Sequence, residues 1–185
     1  MPIGTDLILQ QEKDPESIRR DGRALGTVIE RAARRYRTLL AFPLMDLTTE
    51  KIDLLALLGV QGGAAGSYHF SEAPSADTVG RVAGESARPF PAVCDAAQLA
   101  LRYIAEETDL LPVGMLIGPF SLMTRLLADP ITAVALAGSG VSGRESAEAL
   151  LVERILALAL ITVLRSAEAQ IRAGARRCLQ MKFCG

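Results

Sequence analysis

The chain is organised around 110–129, where the pattern of apolar residues predicts a strand, a tight turn and a helix. Val113 and Ile117 belong to a short, almost uninterrupted apolar run, which is typical of a strand buried on both faces of a parallel sheet. Gly118 then allows a sharp turn, and Pro119 suits the first position of an apolar helix. Because ligands in α/β folds bind at the carboxyl ends of parallel strands, this turn is a predicted binding position.

The rest of the chain predicts one further strand and several helices, so the predicted fold class is α/β. The strand is 38–42, and it ends before a proline. Helices are predicted from Asp14, from Thr48 to Gly59, at 91–107 and at 145–171, with a terminal arm at 1–13 and a long irregular loop at 61–91.

A glycine-rich stretch at 138–143 matches the G-x-G-x-x-G pattern of dinucleotide-binding folds. That motif must follow a strand, but Asp129 and Pro130 begin a helix more naturally than a central strand, where proline would remove a hydrogen-bond donor. A loop between two helices is therefore the preferred interpretation.

Composition limits the classes of function. The chain has 185 residues, of which 50% are hydrophobic, and a formal net charge of -1, which together predict one globular protein with no basic surface for nucleic acid. Cys94, Cys178 and Cys184 form no even disulfide framework, and the longest apolar run, 155–164, is too short to span a bilayer. We therefore expect a cytoplasmic protein without membrane or nucleic-acid partners, and Cys94 reads as a small buried thiol.

Asp46 and His69 are the candidate catalytic residues. Asp46 is the first carboxylate after the strand at 38–42, where it could also simply cap the next helix. His69 lies between Tyr68 and Phe70, so we expect a partly apolar environment suited to packing, proton transfer or a ligand role.

Arginines are clustered near the end of the first predicted helix, and they could bind an anion or complement the helix dipole. They are Arg31, Arg34, Arg35 and Arg37.

Several short motifs occur in the order found in a known enzyme family. Ile-Gly-Pro-Phe-Ser-Leu occupies 117–122, and Gln-Ile-Arg-Ala-Gly-Ala occupies 170–175. Phe-Pro-Leu-Met-Asp at 42–46, Leu-Gly at 58–59 and Tyr-His-Phe at 68–70 precede them. Together they resemble the uroporphyrinogen decarboxylase superfamily, and the motifs before 117 suit its methylcobamide methyltransferase-like branch best.

The resemblance implies a partial (β/α)8 barrel of the TIM type. It covers 36–175, preceded by an arm and helix at 1–35 and followed by an atypical tail at 176–185. A complete barrel takes about 250 residues, so this chain has room for roughly the first half. The tail departs from the family pattern, which carries a site carboxylate and a further strand there, and the natural or truncated origin of the chain stays open.

The function implied by the resemblance is methyl transfer between a corrinoid, free or on a partner protein, and a thiol or related acceptor. His69 and Asp46 would be catalytic, and the substrate-binding residues would be Tyr68, Phe70, Gly118, Pro119 and Phe120. The zinc ligands of methyltransferase relatives have no counterpart here, and Cys178 and Cys184 cannot be assigned to that role. Two alternatives remain: decarboxylation of a tetrapyrrole, or an inactive half-barrel that pairs with itself or with another chain.

Overall fold

The structure is a computed structural model that describes residues 4–181 except 45, 61–65 and 86. It is rich in helices around one small sheet, so the predicted α/β class is confirmed. The elements are α1 Thr5–Leu9, α2 Pro15–Ile18, α3 Gly22–Arg35, β1 Leu40–Ala41, α4 Thr49–Leu57, α5 Ala76–Gly84, α6 Ala92–Glu107, β2 Leu111–Ile117, α7 Pro119–Leu126, α8 Pro130–Ser139, α9 Ala147–Arg172 and β3 Arg177–Met181.

The sheet has the order β1-β2-β3. β1 and β2 are parallel, with Leu40 opposite Leu111 and Ala41 opposite Pro112. Parallel neighbours need a crossover connection, which α4, α5 and α6 supply between the two strands. The predicted strand, turn and helix at 110–129 are confirmed as β2 and α7.

The chain divides into two compact units. Among the described residues, unit 1 comprises 4–49, 90–116 and 166–181, and unit 2 comprises 50–89 and 117–165. Each unit is built from segments that are distant in sequence, so its core depends on contacts that no local pattern encodes.

Unit 1 is organised by the close packing of α3 against α6. Leu25 and Ile29 of α3 share a buried apolar cluster with Ile104 of α6. A Cβ atom added to Gly22 would lie 2.2 Å from Leu99 Cβ, and one added to Gly26 would lie 2.6 Å from the Tyr103 ring. The two glycines, one turn apart, therefore allow an approach that larger residues would block.

Gln170 joins α9 to β2 within unit 1. Its Nε2 donates to the Met115 carbonyl at 2.9 Å, and its Oε1 accepts from the Met115 N–H at 2.8 Å. Nε2 also donates to Ser166 Oγ at 3.3 Å. The side-chain amide thus satisfies both backbone polar groups of one strand residue.

Unit 2 contains a buried ion pair between α9 and α4. Arg165 Nε lies 2.9 Å from Asp53 Oδ2, and both side chains are only 3% exposed. The guanidinium also donates to the carbonyl oxygens of Arg88 at 2.7 Å and Glu85 at 3.3 Å. One buried cation therefore ties together α4, α9 and the chain that follows α5.

β3 lies in the tail at 176–185, where no strand was predicted. Three helical segments also differ from the sequence prediction. The predicted arm contains α1, whose Ile8 and Leu9 are buried. The predicted helix from Asp14 is confirmed at its start, where Asp14 caps α2, but Asp21 accepts a hydrogen bond from the Ala24 N–H and starts α3 separately. The predicted loop at 61–91 contains α5, capped by Ser75. Each difference follows from a short helix or an internal cap that periodicity does not reveal.

Within the ranges that the structure describes, no helix is both long and apolar enough to cross a membrane.

Replacing Asp53 with Ala should lower the free energy of unfolding by about 3–5 kcal/mol, because Arg165 then keeps a buried charge without its carboxylate. The double variant Asp53→Leu/Arg165→Met should lose much less than the sum of its single changes. Urea unfolding of wild type, Asp53→Leu, Arg165→Met and the double variant measures this coupling. Glu107→Ala is a matched control, since its pair with Arg23 is exposed and its loss should change stability little. If the losses in free energy of unfolding of the two single variants add up to the loss of the double variant, the coupling is contradicted.

Candidate functional site

The turn at Gly118 places an exposed aromatic residue after the carboxyl end of β2. Gly118 is buried and extended, with φ -70° and ψ 148°, so the turn needs no left-handed backbone and the predicted reason for a glycine is wrong. Pro119 occupies the first turn of α7 as predicted, and the Leu122 N–H donates to the Gly118 carbonyl at 2.9 Å. Phe120 is 52% exposed. The turn therefore presents a ring to solvent rather than to a core.

Tyr68, His69 and Phe70 lie in unit 2 beside the end of α7. The Phe70 N–H donates to the Leu126 carbonyl at 2.9 Å, and a single parallel bridge pairs Phe70 with Leu127. The Tyr68 ring meets the Phe70 ring edge to face, with centroids 5.2 Å apart. His69 is exposed, so the expected partly apolar environment is wrong. Its neighbours pack against each other and leave the imidazole in water.

Asp46 lies in unit 1, at the start of α4. Its Oδ1 accepts hydrogen bonds from the Thr48 N–H at 2.8 Å and the Thr48 hydroxyl at 2.6 Å, and its Oδ2 lies 3.9 Å from Arg19 Nη1. These bonds form a turn just before α4 and go to Thr48, which precedes the first helical residue, Thr49, so the capping role stays a prediction. Asp46 also borders a small space of about 40 Å³ with Pro43 and Val93 as neighbours. A space of that size holds about one water molecule.

The structure brings the predicted substrate residues together only in part. Tyr68 and Phe70 are in ring contact. The Gly118–Phe120 turn lies at the opposite end of α7 from Leu126, which bonds Phe70.

Phe70 also lines a pocket of about 290 Å³ in unit 2, which we call the Phe70 pocket. Its walls come from the chain after α7 and from the first turns of α8 and α9. The residues around it are Phe70, Ser71, Leu127, Ala128, Asp129, Thr132, Ala133, Leu136, Glu148, Leu151 and Val152. Most of these side chains are apolar, and the two carboxylates are exposed.

Sequence reasoning missed the buried charges of α4 and α9. Lys51 is 4% exposed, and its Nζ donates to the carbonyl oxygens of Arg125 at 2.9 Å and Gly66 at 3.5 Å. Burial lowers the pKa of Lys51, and the positive charge of Arg125 lowers it further. Burial also raises the pKa of Asp53, against the hydrogen bond and charge of Arg165. The sequence signal that could have indicated these buried groups was the presence of charged residues within the apolar pattern of α4.

Three of the four clustered arginines are engaged in ion pairs and hydrogen bonds. Arg31 pairs with Glu12, Arg34 with Asp109 and Glu30, and Arg35 donates to Gln11. These contacts favour the interpretation that the arginines complement the helix dipole at the surface, over the interpretation that they bind an anion.

Metal ligands are not grouped in the described part of the chain: no set of three or more His, Cys, Asp or Glu residues there could hold an ion. Cys94 is buried, as predicted, and its thiol donates to the Thr49 carbonyl at 3.4 Å. Cys184 and the side chain of Cys178 lie outside what the structure describes.

Comparison with known proteins finds no match to this chain among protein-family models, curated proteins or solved structures. Function therefore has to be argued from the residues and their geometry.

The contribution of Lys51 to stability should increase with pH. Its folded pKa is below the ordinary value of 10.5, so between these two values the unfolded chain binds more protons and the folded state gains as pH rises. Wild type should gain free energy of unfolding relative to Lys51→Met and Lys51→Arg between pH 7 and 10, because neither variant loses a proton there. Urea titrations at both pH values measure this. A difference in free energy of unfolding between wild type and the two variants that stays the same at both pH values would contradict the lowered pKa of Lys51.

Proposed function

We propose that this protein is a uroporphyrinogen decarboxylase-like partial barrel that binds a tetrapyrrole-type macrocycle, foremost a corrinoid, for methyl transfer to a thiol. The observation that carries the proposal is the turn at 118–120, which follows a parallel strand and exposes Phe120. Ligands in α/β folds occupy that end of a strand.

The chemistry of the macrocycle agrees with this turn. A corrinoid is broad, flat over much of its surface and partly apolar, so an exposed ring gives it contact area that water cannot match. The first turn of α7 also carries backbone N–H groups that lack helical partners, and these can donate to the amide carbonyl oxygens on the edge of a corrinoid. Phe120 lies in that turn.

His69 is the residue proposed to move a proton. The thiol acceptor must lose its proton before reacting; its sulfur lone pair then forms the bond to the methyl carbon, while the cobalt–carbon electron pair stays with the corrinoid. The exposed imidazole of His69 has a ring nitrogen that can accept that proton. Asp46 is given no step in this reaction, because it lies in unit 1 and its Oδ1 accepts from the Thr48 N–H.

Zinc activation of the thiol, as in methyltransferase relatives, has no donor set in the described residues. The proposal therefore uses no step through a metal held by this chain.

Absorbance titration of the full chain with aquacobalamin and with a porphyrinogen kept reduced tests the proposal. We expect cobalamin to bind, and Phe120→Ala to weaken binding about tenfold with little change in melting temperature, since Phe120 is 52% exposed. Tyr36→Ala is the matched control, because Tyr36 is an aromatic residue 49% exposed in unit 1. His69→Ala should impair methyl transfer from methylcobalamin to a thiol without altering stability.

Binding of the porphyrinogen alone would favour the decarboxylase alternative. Binding of neither ligand, or equal losses in Phe120→Ala and Tyr36→Ala, would contradict the proposal.

A structural role in assembly is the second candidate, favoured by α9. Leu156, Leu160 and Leu164 follow at i, i+4 and i+8 on this helix and are 38%, 47% and 53% exposed. A fully buried leucine gains about 1.5–3 kcal/mol, so three half-exposed leucines forgo a gain that a partner surface could supply.

Light scattering after size exclusion tests the second candidate. Wild type should exceed the 19.7 kDa of one chain as concentration rises, and Leu160→Glu should return it to that mass. Leu99→Glu is the control, since Leu99 is 42% exposed on α6. A mass of one chain at every concentration would contradict this role.

A further inference from the structure

The Phe70 pocket combines an apolar interior with an acidic mouth. Phe70 and Leu127 are buried at its base, and Leu136, Leu151 and Val152 are half-buried around it. Its volume of about 290 Å³ is near the lower end of the range for small-molecule sites, roughly 300–1,000 Å³. The pocket therefore suits a compact apolar group rather than a macrocycle.

Asp129 supplies the first carboxylate at the mouth. Its Oδ1 accepts from the backbone N–H groups of Ile131 at 3.0 Å and Thr132 at 3.2 Å, and its Oδ2 accepts from the Thr132 hydroxyl. The Thr132 contacts lower the pKa of Asp129, with Ile131 adding to the effect. The charge is thus fixed in place at the start of α8.

Glu148 supplies the second carboxylate, in the first turn of α9. Its Oε2 accepts from the Ser146 hydroxyl at 2.6 Å, a contact that lowers the pKa of Glu148. An ionised carboxylate has about four acceptor positions, so one bond from Ser146 leaves Glu148 able to accept from a ligand.

We propose that the Phe70 pocket binds a small organic cation, an ammonium ion attached to an aryl or short alkyl group. The apolar group would lie against Phe70 and Leu127, and the ammonium would lie at the mouth between Asp129 and Glu148. The same two charges repel carboxylates and phosphates, which excludes an anionic ligand. Phe70, which the resemblance gives as a substrate-binding residue, lines this pocket, but Gly118, Pro119 and Phe120, which carry the proposed macrocycle site, do not.

Three probes of matched shape separate the apolar from the charged contribution. They are 2-phenylethylammonium, 2-phenylethanol and phenylacetate, each titrated into the full chain by calorimetry at pH 7. The ammonium should bind about fivefold tighter than the alcohol, the gain expected from charges at a solvent-exposed mouth, and phenylacetate should bind weakest.

Glu148→Gln should reduce the preference for the ammonium over the alcohol severalfold and leave the affinity for the alcohol unchanged. Glu168→Gln is the matched control, an exposed glutamate on α9 outside the pocket, and it should preserve the preference. Val152→Trp should fill the pocket and weaken all three probes.

Equal affinities for the three probes, a preference for phenylacetate, or an unchanged preference in Glu148→Gln would each overturn the proposal. Because Glu148 is exposed, its substitution should not impair folding, so the result stands even if Val152→Trp fails to fold.

Discussion

The buried guanidinium of Arg165 is the constraint on which unit 2 depends. Removing a cation from water costs several kcal/mol, and the cost is offset only where each donor has a partner. Asp53 and the carbonyl oxygens of Glu85 and Arg88 are such partners, and they come from separate segments. Once Arg165 is buried, α4 and the chain after α5 have to lie where their oxygen atoms meet it. The ion pair therefore specifies an arrangement more than it adds stability.

Unit 1 relies on a different constraint, the close approach of α6 to the α3 backbone at Gly22 and Gly26. Here the sequence is limited by space, since even a methyl group at Gly22 would collide with Leu99. Apolar residues such as Ile29 and Ile104 then fill the region around the contact. The two units are thus constrained differently. Unit 2 buries a charge that must be paired, and unit 1 has glycines where α6 approaches α3.

Local signals predicted the elements that local chemistry determines. β2 and α7 were predictable because an apolar run, a glycine and a proline are adjacent in sequence, and the start of α2 because Asp14 precedes Pro15. The buried position of Arg165 was not predictable, because a charged residue in a periodic apolar pattern normally marks the edge of the apolar face. The Phe70 pocket could not be predicted either, since Phe70, Asp129 and Glu148 are distant in sequence and line one pocket only after the chain has folded. For His69 the local signal was misleading: its aromatic neighbours predicted a partly apolar environment, but the structure exposes the ring.

Gln170 has a consequence for how the sheet can grow. β1 pairs with only Leu111 and Pro112 of the seven residues in β2, and Met115 lies beyond that pairing. Exposed strand groups of this kind are templates on which a foreign strand can add. By occupying the N–H and C=O of Met115, the Gln170 amide acts as a one-residue strand and closes that template. A glutamine on a helix thereby completes the backbone hydrogen bonding of Met115, where natural sheets more often protect such groups with charges or prolines on the strand itself.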